Sequence, residues 1–198
     1  MVSQKENKRV RILEAAKVVF SEDGYHGATV DRIAERAGVA KGTVYLYFSS
    51  KTELFWGVVE YGFSIIEESI KKAMEEIDDP MERIEKGVFS FAEYMEKNKE
   101  LFLTLMYEPP SLKIPEMRKR FIKRMRKIQK TIEDVIEEGI EKKIFKPINK
   151  NVIASVVMGM VRGVVFRNIF LEKGKNLKEV VSEVVEIMKN GILRKEEE

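Results

Sequence analysis

The sequence predicts an all-α protein of about nine helices. Apolar residues recur at three- and four-residue spacing along almost the whole chain, as they do on one face of an amphipathic helix. No segment sustains the strict alternation of apolar and polar residues that is typical of a half-buried strand. We therefore expect a small N-terminal unit of three helices at residues 1–50 and a larger helical body at residues 51–198.

The N-terminal unit contains three predicted helices. The first carries an apolar face and ends near Gly24, because glycine readily adopts the left-handed conformation of a helix end. The second begins after Thr29, a good N-cap residue, and ends before Gly38. A third, short helix covers about residues 41–48.

The remaining predicted helices begin or end at capping residues and prolines. The fourth opens with the capping box SKTE at residues 50–53. The expected helices are, in chain order, 50 to about 77, 80 to about 97, a shorter one after Asn98 that Pro109-Pro110 ends, 115 to about 142, and two that begin after Asn149 and Asn176.

Composition limits the functions that this chain can have. Of the 198 residues 35% are charged, and the net charge of +3 gives only weak support for an acidic partner. The chain has no cysteine, which excludes disulfides and thiol chemistry and fits a reducing cytoplasm. Residues 151–170 are apolar enough to suggest a membrane span, but Arg162, Arg167 and Asn168 favour a buried helix instead. We expect a cytoplasmic protein without a membrane segment.

Catalytic chemistry has little support in the sequence. The one histidine, His26, lies in a turn between glycines, where a general base is not expected. Adjacent glutamates such as Glu67-Glu68 point apart on a helix and are interpreted as solvated charge. The basic run at residues 117–130 is likewise interpreted as a solvated face. We expect no enzyme activity, no cofactor and no metal.

The second and third predicted helices form a candidate helix-turn-helix. The segment AERAGVA joins them through a tight turn at a glycine. Val44 and Phe48, four residues apart, are expected to pack inward, which leaves Lys41, Thr43, Tyr45 and Tyr47 largely on other sides of the third helix. Hydroxyl and cationic groups on an outward helix face suit DNA, although a structural helical hairpin remains an alternative.

Residues 15–54, AAKVVFSEDGYHGATVDRIAERAGVAKGTVYLYFSSKTEL, closely resemble the DNA-binding domain of TetR-like transcriptional repressors. The resemblance implies that Lys41, Thr43 and Tyr45 face the DNA groove. It also implies that Thr29, Tyr47 and Lys51 hold phosphates. Many members of that family carry histidine where this chain has Tyr47, which can donate a hydrogen bond but adds no charge.

A homodimer is the expected form, since one helix-turn-helix covers about one turn of DNA and pairs of them bind palindromic operators. TetR-like proteins pair through their last two helices. Internal packing of the same residues is the alternative. The candidate interface residues are Ser155, Gly159, Gly163, Val181, Val184, Val185 and Met188.

The resemblance also implies a small, partly apolar effector whose entry shifts the fourth helix and releases the operator. Ordinary core packing is the alternative for each residue. The candidate pocket residues are Phe63, Ile66, Phe89, Met106, Tyr107, Phe121, Met125 and Phe166, with Arg162 or Asn168 as a polar anchor. The sequence thus predicts a DNA-binding regulator, most simply a repressor. A TetR-like DNA-binding protein without an effector and a helical protein-interaction module remain alternatives.

Overall fold

Helices make up most of the computed structural model, which describes residues 4–100, 114–170 and 176–193. The described part contains eight helices and no strand, with one isolated bridge between Phe145 and Leu193. The helices are α1 Gln4–Gly27, α2 Val30–Ala37, α3 Lys41–Tyr47, α4 Lys51–Met74, α5 Pro80–Lys97, α6 Pro115–Glu141, α7 Lys150–Phe170 and α8 Leu177–Ile192. The all-α prediction is confirmed, and the short helix predicted after Asn98 falls mainly on residues 101–113, outside the described residues.

The predicted capping residues start the helices as expected. The Thr29 hydroxyl accepts the Arg32 N–H at 3.3 Å, and the Ser50 hydroxyl accepts the Glu53 N–H at 3.1 Å. Later helices follow the same rule, with Asp79, Asn149 and Asn176 accepting backbone N–H groups in the first turns of α5, α7 and α8.

Two helix ends differ from the prediction. Gly24 has φ 68° and ψ 177°, so it kinks α1 where the sequence predicts its end, and the chain then makes one more turn to Gly27. Helix α4 ends at Met74, three residues earlier than expected, and Glu76 adopts a left-handed φ of 62°.

The chain divides into two compact units, residues 1–65 with 98–122 and residues 66–97 with 123–198. The first unit has a continuous core that α1, α2, α3 and the first half of α4 build. Phe20, Phe55 and Trp56 are its largest fully buried side chains. The boundary predicted between residues 50 and 51, which separates the three-helix unit from the larger helical body, stays a prediction.

The second unit packs α5, α7 and α8 together, with Val161, Val165 and Val185 buried in its core. Gly139 on α6 allows Phe145 to fold back, because a Cβ at position 139 would lie 2.2 Å from the Phe145 ring. An Arg83–Glu138 ion pair at 2.6 Å joins α5 to α6, and a Lys189–Glu85 pair at 3.0 Å joins α8 to α5.

The interpretation of residues 117–130 as a solvated face does not hold for Arg120 and Arg124, whose side chains are 32% and 31% exposed, whereas Lys127 forms an ion pair and is still 64% exposed. In the first unit, Arg120 binds Glu53 at 3.1 Å and also pairs with Glu60. In the second unit, Arg124 and Lys127 both bind Glu67, whose side chain is 14% exposed. These cations therefore join α6 to α4, and Glu67 is an ion-pair partner that the adjacent-glutamate pattern concealed.

Within the described ranges, no helix is long and apolar enough to cross a bilayer, and this is also true of the apolar helix α7.

Candidate nucleic-acid interface

The turn between α2 and α3 has the geometry of a helix-turn-helix. Gly38 adopts a left-handed conformation with φ 63° and ψ 42°, and its N–H donates to the Glu35 carbonyl. The Val39 N–H donates to the Ala34 carbonyl at 3.0 Å, which completes the cap of α2. A non-glycine residue at position 38 would be strained, so the sequence fixes the turn at this glycine.

The inward face of α3 is the one that the sequence predicts. Val44 is 1% exposed and Phe48 is 3% exposed, and both belong to the core of the first unit. Ala34 is buried and Val39 packs against the same core. Helix α3, the candidate recognition helix, is therefore held by its own side chains in one rotational setting.

The outward face of α3 carries the predicted groove-facing residues. Lys41 and Tyr45 are exposed, and Thr43 is half-buried. Tyr47 differs from Tyr45, because it is half-buried and packs against the core, so its ring anchors the helix end. This face therefore presents an ammonium and a phenol beside the hydroxyl of Thr43.

Leu46 is the exposed residue that the sequence reasoning missed. Its side chain is 84% exposed, the highest value among the large apolar residues described. The sequence does contain a signal for this exposure. Position 46 lies about half a helical turn from both Val44 and Phe48, so its side chain faces away from the core.

Lys41 forms an ion pair with Asp31 on α2, at 2.8 Å from its Nζ atom to the carboxylate. This hydrogen bond, together with the charge of Asp31, raises the pKa of Lys41 above its ordinary value. Both side chains are more than half exposed, so water and a phosphate can compete for the ammonium.

Lys51 fastens the loop between α1 and α2. Its Nζ atom donates to the His26 carbonyl at 3.2 Å and to the Ala28 carbonyl at 3.0 Å, and it lies 4.8 Å from the centre of the Tyr25 ring. The loop that Lys51 holds leads directly into Thr29, which is exposed at the start of α2. Two of the three donors of the ammonium are therefore engaged within the chain.

Acidic residues of α1 neutralise arginines of α2. Arg32 binds Glu22 at 2.6 Å and also pairs with Asp23, and Arg36 lies 3.7 Å from Glu22. The hydrogen bond that Arg32 donates to Asp23 is the largest cause of a raised pKa at Arg32. The spacing of these residues in the sequence does not predict their ion pairs.

The predicted effector-pocket residues are divided between the two units. In the first unit, the Phe63 and Phe121 rings meet edge to face with their centres 5.7 Å apart. In the second unit Ile66 is buried, Arg162 is exposed, and Phe89, Met125, Phe166 and Asn168 are half-buried. Met106 and Tyr107 lie outside the described residues, and the pocket stays a prediction.

The predicted dimer residues separate into two groups. Ser155, Gly159 and Gly163 are exposed on α7, and a Cβ built at either glycine would meet no atom within 4 Å. Val181, Val184, Val185 and Met188 are buried inside the second unit. Val152 at 54% and Val156 at 45% are the large apolar side chains exposed on α7, and Ile187 of α8 is 62% exposed.

Two helices joined by a tight glycine turn, with the second held at a fixed rotation by its buried side chains, are a helix-turn-helix. Residues 12–56 match the family model described as bacterial regulatory proteins, tetR family. Residues 77–166 match the model described as tetracyclin repressor-like, C-terminal domain. The two matches cover about two thirds of the chain, and the chain belongs to the TetR family.

Similar proteins include a transcriptional activator and a fatty acid metabolism regulator. The transcriptional activator FasR of Mycolicibacterium smegmatis is 33% identical over 96 residues, which are 48% of this chain and 44% of FasR. The fatty acid metabolism regulator protein of Bacillus subtilis is 47% identical over 53 residues, which are 27% of each chain. The chain therefore spans less than half the length of these relatives.

A solved structure of similar fold is the transcriptional regulator FadR from Bacillus subtilis in complex with stearoyl-CoA. Its TM-score is 0.79 at 22% identity, with 92% of this chain and 98% of FadR covered. At this identity the likeness shows the fold alone.

Proposed function

We propose that the protein is a sequence-specific DNA-binding transcriptional regulator, a repressor that binds a palindromic operator as a homodimer and is released by a small effector. The observation that carries the proposal is the division of α3 into two faces. Val44 and Phe48 fix the helix to its core, while Lys41 and Tyr45 are exposed on the outer side. A helix so fixed fits the major groove and presents donors to base edges.

Lys41, Thr43 and Tyr45 face the groove in this proposal. Lys41 leaves Asp31 and binds DNA instead. The exchange is easy because both side chains are more than half exposed, so water already weakens their attraction. The other two residues offer hydroxyl groups that donate to or accept from base edges.

Thr29, Tyr47 and Lys51 hold phosphates. Thr29 and Lys51 lie at the starts of α2 and α4, where unpaired backbone N–H groups also favour an anion. Lys51 keeps one donor for a phosphate and uses the other two to hold the loop before Thr29. Its phosphate role and its structural role therefore support each other.

Selection of bound genomic fragments, followed by binding measurements with two variants, tests the DNA assignment. Lys51→Ala weakens binding to every sequence and lowers the slope of log affinity against log salt by about one unit for each phosphate that is no longer held. Thr43→Ala changes base preference instead. Equal losses from both variants on all sequences contradict the assignment. Thermal unfolding of Lys51→Ala is measured in parallel, since this variant also loses two hydrogen bonds within the chain.

The dimer face of the proposal is the exposed side of α7 together with Ile187 of α8. Ser155, Gly159 and Gly163 leave open space above α7, and glycine weakens a helix interior by about 1 kcal/mol relative to alanine. Nothing in the described part of the chain fills that space, so close approach by a helix of a second copy explains these small residues. Val152 and Val156 on the same face supply apolar area for burial.

The effector of the proposal is small and partly apolar, and fatty acyl compounds are the first class to test. The support is the apolar character of the predicted pocket residues and the names of the similar regulators. A ligand at one hundred times its dissociation constant stabilises the folded protein by about 2.7 kcal/mol, which a thermal-shift screen detects. A hit also has to release the selected operator, and failure of all lipophilic and aromatic compounds in the screen contradicts the sensor role.

A further inference from the structure

Leu46 projects from the middle of the outer face of α3. It is 84% exposed, and the exposed residues Lys41 and Tyr45 accompany it on the outer side of the same helix. Single apolar side chains are common on protein surfaces, so exposure alone does not assign a role. Its position on a surface that is continuous with the proposed DNA contacts makes it informative.

Gly42 is the second observation on the same face. It lies four residues before Leu46, so the two positions are neighbours on one side of the helix. A Cβ at position 42 would meet no atom within 4 Å, and the residue has no left-handed backbone that requires glycine. Glycine weakens a helix relative to alanine, and no contact within the described residues explains its presence here.

Gly42 leaves a gap on this face of the helix, and the exposed apolar side chain of Leu46 projects beside that gap. Polar groups flank both residues. The major groove presents one apolar group on a base edge, the 5-methyl group of thymine. We infer that Leu46 contacts a thymine 5-methyl group in each operator half-site, and that Gly42 leaves room for the helix to approach the groove closely enough. This inference rests on the proposed DNA-binding function and adds a specificity-determining residue to it.

Replacement of thymine by uracil in the selected operator tests the contact, because uracil pairs in the same way and lacks only the methyl group. The wild-type protein loses about fourfold in affinity for each methyl group removed, the factor that corresponds to burial of one methyl-sized group, and about fifteenfold when one thymine is replaced in each of the two half-sites. Because both copies of the dimer carry the substitution, Leu46→Ala binds the thymine operator about fifteenfold more weakly and no longer distinguishes thymine from uracil at that position. Circular dichroism and Tm confirm that this exposed substitution leaves the fold intact.

Gly42→Ala distinguishes an effect on the stability of the fold from an effect on the DNA contact. This variant keeps or raises the Tm, because alanine favours a helix and the space is open, yet it binds the thymine operator more weakly. Gly191→Ala is the matched control, since a Cβ at position 191 of α8 also meets no atom within 4 Å and lies outside α3. Gly191 lies one turn after Ile187, so sedimentation velocity first establishes that Gly191→Ala is a dimer. The dimeric control then changes neither affinity nor base preference.

Three results overturn the inference. The first is that no thymine-to-uracil replacement weakens wild-type binding. The second is that Leu46→Ala loses the same affinity on thymine and uracil operators, which places the leucine against another part of the DNA. The third is binding without any sequence preference, which overturns the proposed function as well and is thereby distinguished from the first two.

Discussion

Gly57 and Gly42 have opposite surroundings, although both are glycines inside helices of the first unit. A Cβ at position 57 would lie 2.7 Å from Phe48 Cε1 and 3.2 Å from Leu13 Cδ2, so α4 approaches the recognition helix closely there. A Cβ at position 42 would meet nothing within 4 Å. Gly57 therefore serves packing within the chain, whereas Gly42 is available for a contact outside it.

Gly57→Ala destabilises the protein, because the added methyl group displaces the buried Phe48 ring. Overpacking costs about 1–3 kcal/mol, and better helix propensity returns about 1 kcal/mol, so we expect a net loss of about 1 kcal/mol. Denaturant unfolding measures the change, with Gly42→Ala as the matched control that loses no stability. Equal stability of the two variants contradicts the packing at Gly57.

Helix α6 is joined to α4 by ion pairs in the first unit. The Arg120 guanidinium lies 5.7 Å from the Trp56 ring centre and binds Glu53 and Glu60. Burial lowers the pKa of Arg120, but its hydrogen bonds to Glu60 and Glu53 outweigh that effect and leave the pKa raised. Arg120 thus keeps its charge and covers the only tryptophan of the chain.

Arg120→Ala leaves two carboxylates without their partner, and we expect a loss of about 1–3 kcal/mol in the free energy of unfolding. The tryptophan emission shifts to longer wavelength, since the guanidinium no longer covers the ring. Arg118→Ala removes the same charge at an exposed position of α6 and is the control. An unchanged emission spectrum in Arg120→Ala contradicts the described contact.

In the second unit, Glu138 of α6 forms a link of ion pairs whose contribution to stability depends on pH. A hydrogen bond from Lys142 lowers the pKa of Glu138 below 4.5, burial opposes the shift, and Arg83 adds to it. Because the folded pKa is lowered, the link stabilises the protein above pH 4.5 and is lost as the pH falls through the folded pKa.

Glu138→Gln is therefore less stable than wild type at neutral pH, by about 1 kcal/mol. The difference disappears as the pH falls through the lowered folded pKa of Glu138, where the wild-type carboxyl also becomes protonated. Urea unfolding at several pH values measures both, with Glu141→Gln at an exposed position of the same helix as the control. A difference that is the same at acidic and neutral pH contradicts the ion-pair explanation.

The helices and their caps were predictable from the sequence because their signals are local. Thr29, Gly38 and Asn176 make their capping hydrogen bonds with residues only a few positions away in the chain. The ion pairs of α6 were not predicted, because Arg120 finds Glu60 sixty residues earlier in the chain. A faint signal exists in the seven-residue spacing of Glu53, Glu60 and Glu67, which matches the spacing of Arg120 and Lys127.

On the candidate DNA surface, too, local features were predictable from the sequence and long-range contacts were not. The inward direction of Val44 and Phe48 follows from helical period alone, and the structure confirms it. The bonds of Lys51 to the carbonyls of His26 and Ala28 depend on a loop more than twenty residues away, which no periodic pattern reveals.

At the scale of the whole molecule, the proposed function requires two copies of the chain. The exposed face of α7 carries Val152, Val156 and the small residues Ser155, Gly159 and Gly163, and Ile187 is exposed on α8. A stable dimer needs such an apolar face, and a palindromic operator needs the dimer.

Val156→Asp combined with Ile187→Asp produces a monomer, because dimer formation would then bury a charge in an apolar contact at each site. Sedimentation velocity measures the mass, and Ile122→Asp, at an isoleucine of α6 that is 41% exposed, is the control that stays dimeric. The monomer loses affinity for a two-half-site operator and keeps its affinity for one half-site. A dimer that persists in the double variant contradicts the α7 face.

Fluorescence anisotropy of the protein with a selected genomic fragment and a shuffled fragment, at two salt concentrations, tests the central claim most directly. The claim is that the outer face of α3 reads a DNA sequence. We expect the selected fragment to bind at least about a thousandfold more tightly than the shuffled one at the same salt concentration. Equal affinities for the two fragments, with a salt dependence that charge alone explains, would contradict it.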